Sequence, residues 1–478
     1  MTTMNTRSDA MYPQLPDAPG PSGLERLRMA RAFLSRRGVP SAYLRQLVAA
    51  YGDVVRLQLG GRTLYVVAHP DLAQEVLMKR YQEFHKPSAA GGPPRQLSRF
   101  LGNGVLTADH EEWRPQRRLI QPLMRATHIR SYADTMTRQT EALTNTWRGG
   151  ETRDVHADMN RLTMWIIAET MFGTTPENAA NIHHLVSMAQ AIAVGDLQNL
   201  LPGRDLFGRV TCRVGHINAT FDDVVRGMIA ERARHSDSPR HDLLTLLLNS
   251  VDEDGQPVPY AFIRDNILTL FVAGHETTAN TLTWALYYLA HNPAVLATLR
   301  AELDQVLAGR AATLADLAAL PYTDMVVKEA MRIEPAVSLV PRYVTQHLSL
   351  GGYRLQAGSV VLVSIYCLHH DARWWDAPGE FRPERFAAEQ EALRHKYAYL
   401  PFGGGPRVCI GNHFAMMEAQ IILATLLARC DFALARRGEV ERVRLITTAP
   451  HRGLLMRVMP RSGDQQGQAA ASATNARS

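Results

Sequence analysis

The segment Phe402-Gly403-Gly404-Gly405-Pro406-Arg407-Val408-Cys409-Ile410-Gly411 sets a metal-seeking sulfur inside a glycine-rich loop. Clustered glycines let a backbone approach a flat ligand closely and take up positive φ where a turn needs it. An apolar helical segment, Ala415 to Leu427, follows directly. A cysteine just ahead of a helix sits where amide N–H groups and the helix dipole favour the thiolate. Arg407, shortly before it, supplies a cation able to bind a carboxylate. The plainer alternative is a glycine-rich turn leading to an inert buried cysteine. Against it, a Phe, Gly, Arg, Cys, Gly set at these offsets arises by chance in on the order of one chain in ten thousand.

A second group, Ala273-Gly274-His275-Glu276-Thr277-Thr278, sets an acid beside an alcohol. Apolar Ile267, Leu268, Leu270, Phe271 and Val272 precede it, and Leu282, Trp284 and Leu286 follow. Such a helix is buried, and a buried acid beside a buried alcohol needs a purpose. Hydroxyl residues and glycine are poor choices inside a helix, and hydroxyls that bond back to helix carbonyls can open a local kink. Taken alone, the hexapeptide also suits a polar patch on an exposed helix. Two further pairs, Trp113-x-x-x-Arg117 and Glu329-x-x-Arg332, each place both side chains on one helix face. Glu-x-x-Arg carries little by itself, since it also starts at Glu25, Glu111, Glu231, Glu391, Glu439 and Glu441. Only the Glu329 pair lies after the long apolar helix, before Pro335, and ahead of Phe381-Arg382-Pro383-Glu384-Arg385-Phe386.

The elements that must position these groups are mostly helical. From Ala261 to His291 the chain has no glycine but Gly274 and no proline until Asn292-Pro293, which predicts a rod of roughly 45 Å. Strand signals are local: Val54 to Leu59 leads through Gly60-Gly61 to Thr63 to Val67 as a hairpin, with short strands at Leu348 to Leu355 and Val360 to Tyr366. A mainly α protein with small peripheral antiparallel β-sheets follows, and a doubly wound α/β fold does not. With 478 residues, 46% of them hydrophobic, the chain can bury a large core. The interior shows no linker and no repeat, so residues 21–461 are expected to form a single domain, after a flexible leader at 1–20 and before a disordered low-complexity tail at 462–478.

The net charge of +6 is small for this length and suits an acidic protein partner better than a nucleic acid. Four cysteines, Cys212, Cys367, Cys409 and Cys430, stand far apart without a CxxC pair, which argues against a disulfide framework or a structural zinc site and for a reducing compartment. Charges through the first 35 residues fit neither a secretory core nor a membrane anchor. A cytoplasmic protein without a membrane span is expected.

The cysteine loop matches the haem-binding signature of the cytochrome P450 family at every fixed position: Phe402, Gly405, Arg407, Cys409 and Gly411. The likeness covers roughly residues 20 to 460, with the other landmarks in the family's order, and the chain resembles the soluble bacterial type. That resemblance implies a triangular prism with a long central helix crossing over haem b, and Cys409 as the iron's thiolate ligand, which favours O–O cleavage. It places Phe402 beside the sulfur, and amides after Cys409, toward Gly411, in hydrogen bonds to it. Thr277 and Glu276 would relay protons to bound O2, and Ala273 would face substrate. Trp113, Arg117, Arg342 and Arg407 would hold the haem carboxylates, while Glu329, Arg332 and Arg385 would form a buried structural triad. His275 would be structural.

By the same resemblance, electrons come from NAD(P)H through a separate ferredoxin or flavodoxin and its reductase. The reaction is RH + O2 with two electrons and two protons giving ROH and water, carried out by a monomer. Arg114, Arg118 and Arg125 would help dock the acidic donor, with ordinary solubilising charge as the alternative. Pocket walls would come from Pro87 to Asn103, Ala191 to Leu206, Val337 to Val340 and Thr447 to Ala449, mostly apolar segments that favour a hydrophobic substrate: a long-chain fatty acid, or a terpenoid or carotenoid lipid. The rivals are a peroxide-driven or coupling variant of the same fold and a non-catalytic haem-binding sensor or gas carrier. The Glu276-Thr277 pair argues against both, since neither needs a buried proton relay.

Overall fold

A computed structural model describes residues 15–33, 38, 40–59, 61–86, 98–174, 182, 209–234, 242–252, 254–436 and 438–461. The helices used below are α1 (His110–Ile120), α2 (Ala133–Asn145), α3 (Val155–Ile167), α4 (Arg209–Arg234), α5 (Tyr260–His291), α6 (Pro321–Ile333) and α7 (Asn412–Arg429). The expected tail at 462–478 lies outside the described residues.

Helix α5 is the axis of the molecule. Its 32 residues start after Pro259 and stop at Asn292, a length of about 48 Å at 1.5 Å per residue. Pro293 cannot continue it and instead opens the next helix. Buried residues run from Ile263 to Leu289 on all its sides because α3, α6 and α7 pack around it. Gly274 permits the approach of α3, since a Cβ there would stand 2.1 Å from the terminal methyl of Ile167. The Thr277 hydroxyl donates to the Ala273 carbonyl at 3.0 Å and Thr281 to Thr277 at 3.0 Å. The helix runs without interruption through these residues.

The strands are β1 (Val54–Leu59), β2 (Arg62–Val67), β3 (Phe84–His85), β4 (Thr152–Asp154), β5 (Leu339–Val344), β6 (Leu348–Leu350), β7 (Tyr353–Leu355), β8 (Val360–Ser364), β9 (Cys430–Leu434), β10 (Arg442–Arg444), β11 (Thr448–Pro450) and β12 (Leu455–Pro460). The largest sheet has the order β1-β2-β8-β5-β3. Its first pair is the expected hairpin, in register from Val54↔Val67 to Leu59↔Arg62. All pairings in the sheets are antiparallel except β2 with β8. β8 ends at Ser364, earlier than the apolar run suggested, because the Ser364 hydroxyl accepts the Cys367 N–H at 3.2 Å and caps a short helix, Ile365–His369.

The last residues of the expected leader are tied down. The Pro16 carbonyl accepts from Arg354 N–H at 3.0 Å and the Pro19 carbonyl from Arg56 N–H at 2.8 Å, and Asp17 pairs with Arg56 at 2.8 Å. Beneath the sheet, Arg332 on α6 meets Glu329 through two bonds of 2.7 and 2.8 Å. Its other donors reach the carbonyls of His369, Pro378 and Glu380. Arg385 stands 3.4 Å from the same carboxylate. Glu329 and Arg332 are fully buried, so the triad fastens α6 to the segment 378–385 that leads to the cysteine loop. Among the described residues, no helix is long and apolar enough to cross a membrane.

Candidate active site

The cysteine loop turns back on itself through its glycines. Gly403 and Gly405 have φ of +71° and +69°. A Cβ on Gly405 would lie 1.8 Å from the Leu77 carbonyl oxygen, so only glycine fits where the loop crosses that segment. The Cys409 N–H closes the loop on the Phe402 carbonyl at 2.9 Å, and Phe402 is half-buried against the helical core. Helix α7 begins three residues later, at Asn412.

The Cys409 side chain is accessible, yet burial is the largest influence on its thiol and pushes the pKa up. Both hold for a sulfur that faces an interior space. The Gly411 amide and the Arg117 guanidinium oppose the rise, in line with the expected hydrogen bonds from amides after the cysteine. The sequence pattern favours a thiolate here. In the protein alone burial outweighs the loop's donors, and coordination to a metal ion is what deprotonates such a thiol. Arg117 donates to the Val408 carbonyl at 2.6 Å, and with Arg125, His413 and Cys409 it lines a surface recess of about 280 Å³.

Helix α5 breaks its own burial pattern. Phe271, Val272 and His275 are buried, whereas Ala273 is exposed and Gly274, Glu276 and Thr277 are half-exposed. Exposure in the middle of a helix packed on its other sides means that this face opens onto a space among its neighbours. The Glu276 carboxylate accepts from the Thr447 hydroxyl at 2.5 Å. The Thr448 N–H bonds to the Ala336 carbonyl at 2.9 Å and Trp284 Nε1 to the Thr448 carbonyl at 3.0 Å. Two of the expected wall segments, Val337 to Val340 and Thr447 to Ala449, are thereby brought to α5. Ala191 to Leu206, and residues 87–97 of the first wall segment, lie outside the described residues. His275 Nδ1–H donates to the Phe271 carbonyl at 2.8 Å, and burial lowers its pKa. This fits a structural histidine.

Cations gather beside the cysteine loop. Arg342 on β5 and Arg407 are buried, and burial lowers the pKa of each to about 10. Lys86 follows β3, which pairs with β5 through His85↔Tyr343, and burial holds it well below the usual lysine range. The Trp113 ring lies under Arg407 at 4.6 Å and Arg117 at 5.9 Å. Arg407 donates to the Ala108 carbonyl at 2.8 Å and to Asp109 at 2.9 Å. Arg342 has one hydrogen bond at hand, to the Pro341 carbonyl at 2.9 Å. Buried cations with so few carboxylates around them call for anions from a ligand. A sulfur ligand with partly buried cations beside its loop fits an iron porphyrin with its two carboxylates.

Of the residues the sequence reading singled out, Arg407, Arg342, Trp113 and Arg117 gather beside the cysteine loop, while Ala273, Glu276 and Thr277 share the partly open face of α5. The sequence reading did not find Lys86, Asp109 or Glu418. Glu418 on α7 is fully buried, and neither carboxylate oxygen has a hydrogen-bond partner. Burial raises its pKa well above the usual carboxyl range, against a smaller opposing effect of the Thr278 hydroxyl. That hydroxyl lies outside ordinary hydrogen-bonding geometry.

The cytochrome P450 family model matches residues 21–455. Cyclooctatin synthase of Streptomyces melanosporofaciens is 36% identical over 391 residues, 80% of this chain and 83% of its own. Cyclooctat-9-en-7-ol 5-monooxygenase of the same organism is 33% identical, over 80% of this chain and 82% of its own. Pentalenene oxygenase of Streptomyces avermitilis is 30% identical, over 87% and 92%. The family match spans the cysteine loop, α5 and β5 alike, and the chain belongs to the cytochrome P450 family of haem-iron monooxygenases.

Proposed function

We propose that this enzyme hydroxylates a polycyclic terpenoid, with electrons passed from NAD(P)H by a separate ferredoxin or flavodoxin and its reductase. The observation that carries the reading is the family match over residues 21–455, joined by an exposed Cys409 in the glycine-rich loop and by Ala273, exposed within the buried stretch of α5. Relatives named for cyclooctatin, cyclooctat-9-en-7-ol and pentalenene favour a terpenoid over the fatty acid that the α5 hexapeptide also suits.

Residues 21–461 act as one haem domain. Cys409 holds the iron, while the Gly411 amide and Arg117 stabilise negative charge on its sulfur. Arg342, Arg407 and Lys86, with Trp113 beneath Arg407, hold the carboxylates at the rim. Once bound, the haem iron supplies O2 activation and oxygen insertion into a C–H bond. Glu276, whose carboxylate accepts from the Thr447 hydroxyl, and Thr277, whose hydroxyl donates to the Ala273 carbonyl, would be the groups that carry protons on the open face of α5. Ala273 leaves room for a bulky ring system. Apolar walls at Val337 to Val340 exclude water.

Titrating the ferric enzyme with a cyclic diterpene, a sesquiterpene, a long-chain fatty acid and a small aromatic, while following the Soret band, tests the substrate class. A saturable shift with a terpene, absent with the fatty acid, supports the reading. A shift with the fatty acid alone overturns the terpenoid assignment.

A further inference from the structure

Asp109 sits at the N-cap of α1, where an aspartate ordinarily accepts a backbone N–H from the first turn. It makes no such bond. One carboxylate oxygen is turned instead to Arg407 Nη2 at 2.9 Å and the other to His85 Nδ1 at 2.9 Å. The turn has a cost in backbone conformation: the next residue, His110, has φ of +30°, which side-chain-bearing residues seldom adopt. The carboxylate is buried. A residue type suited to capping has forgone the cap to meet a cation and a histidine.

We propose that Asp109 is a positioning residue for the haem, which clamps Arg407 at the rim and supplies the anion that balances the buried cations there, and so lowers the reduction potential of the iron. This rests on the haem-thiolate reading. The Arg407 guanidinium is held by the Ala108 carbonyl, the Asp109 carboxylate and the Trp113 face, all from one short stretch of chain. Lys86, Arg342 and Arg407 repel one another here, and among the described residues Asp109 is the carboxylate that acts on all three. Asp109 supports the charged form of Lys86, Arg342 and Arg407 alike, against burial and their mutual repulsion. Removing its charge leaves a buried positive surplus beside the haem. Such a surplus favours the ferrous over the ferric iron, because the reduced site carries one positive charge fewer.

The test is the midpoint potential of the purified holoenzyme, measured by dye-equilibrated titration in Asp109→Asn, Asp109→Ser and Asp109→Glu. Haem content and the CO spectrum confirm that each variant is folded and thiolate-ligated. Asp109→Asn and Asp109→Ser should both shift the potential upward, by roughly tenfold in the ferric–ferrous equilibrium, or ~59 mV for one electron. Asp109→Glu should restore most of the parent value. Serine is a good helix cap without charge, so a parent-like potential in Asp109→Ser would show a merely structural role and overturn the proposal. An unchanged potential in Asp109→Asn would overturn it as well. Should Asp109→Asn fail to accumulate, the Ser and Glu variants decide. A parent enzyme without the thiolate CO band would overturn the haem-thiolate reading itself, whatever the variants do.

Discussion

Two glycines of the cysteine loop share a positive φ but not the same surroundings, and they should respond differently to substitution. Gly403 has no atom within 4 Å of the place a Cβ would take, whereas Gly405 meets the Leu77 carbonyl oxygen at 1.8 Å. Gly403→Ala should cost about 1 kcal/mol, the backbone contribution alone. Gly405→Ala adds a clash with fixed backbone and should cost several kcal/mol, at least about 3, with loss of haem, as urea unfolding and haem content would show. Equal effects would mean that the loop can move away from Leu77. At Thr277 the hydroxyl bonds only within its own helix, so Thr277→Ala should keep the fold and the substrate-induced Soret shift. Product formed per NAD(P)H consumed should fall roughly tenfold or more. Undiminished coupling would remove Thr277 from proton transfer. Cys409, Arg407 and Thr277 were legible because their spacing along the chain carries the signal. Lys86 and Asp109 were not, since Lys86 joins Arg342 only through the pairing of β3 with β5, and Asp109 gains its meaning from Arg407, far away in sequence.

Between elements, the packing of α7 on α5 buries an acid. The Glu418 carboxyl has its pKa raised well above its unfolded value, mainly by burial. A group raised in this way leaves stability intact below its unfolded pKa, near 4.3, and costs stability as pH rises toward the folded value. Glu418→Gln should therefore be more stable than the parent at neutral pH and converge with it near pH 4. The gain should grow by about 1.4 kcal/mol per pH unit between those limits. A gain that does not vary with pH, read from denaturation midpoints at two pH values, would contradict protonated burial. The triad under α6 should behave in the opposite sense. Glu329→Gln leaves Arg332 buried without its carboxylate, at a cost of roughly 3–5 kcal/mol. At this scale the long helix and the first hairpin were legible, because an apolar run ended by Asn292-Pro293 and two alternating runs around Gly60-Gly61 state their own limits. The end of β8 was not. One serine hydroxyl decides it, and the apolar run passes through unchanged.

Across the whole molecule, the side bearing α1 is where we propose that an electron donor approaches Cys409. Arg114, Arg118 and Arg125 are exposed there, and Arg125 lines the recess that Cys409 shares. Reversing Arg114 and Arg118 to Glu should slow the first electron from an acidic donor several-fold at low ionic strength, with the difference fading as salt rises. An unchanged rate would assign those arginines to solubility alone. Fold class was legible from the balance of long helical and short strand patterns. The neighbourhood of Glu276 was not, because Thr447, which bonds to it, is distant in sequence, as is Ala336, which bonds to Thr448. All of these predictions presuppose iron held by the Cys409 sulfur. The reduced CO complex of the purified, haem-loaded protein reports that bond: a thiolate gives a long-wavelength Soret band, and this protein should show it, while Cys409→Ser should lose it. A folded, haem-replete parent whose CO complex shows the short-wavelength band of a nitrogen or neutral ligand would contradict the assignment of Cys409 and the monooxygenase chemistry built on it.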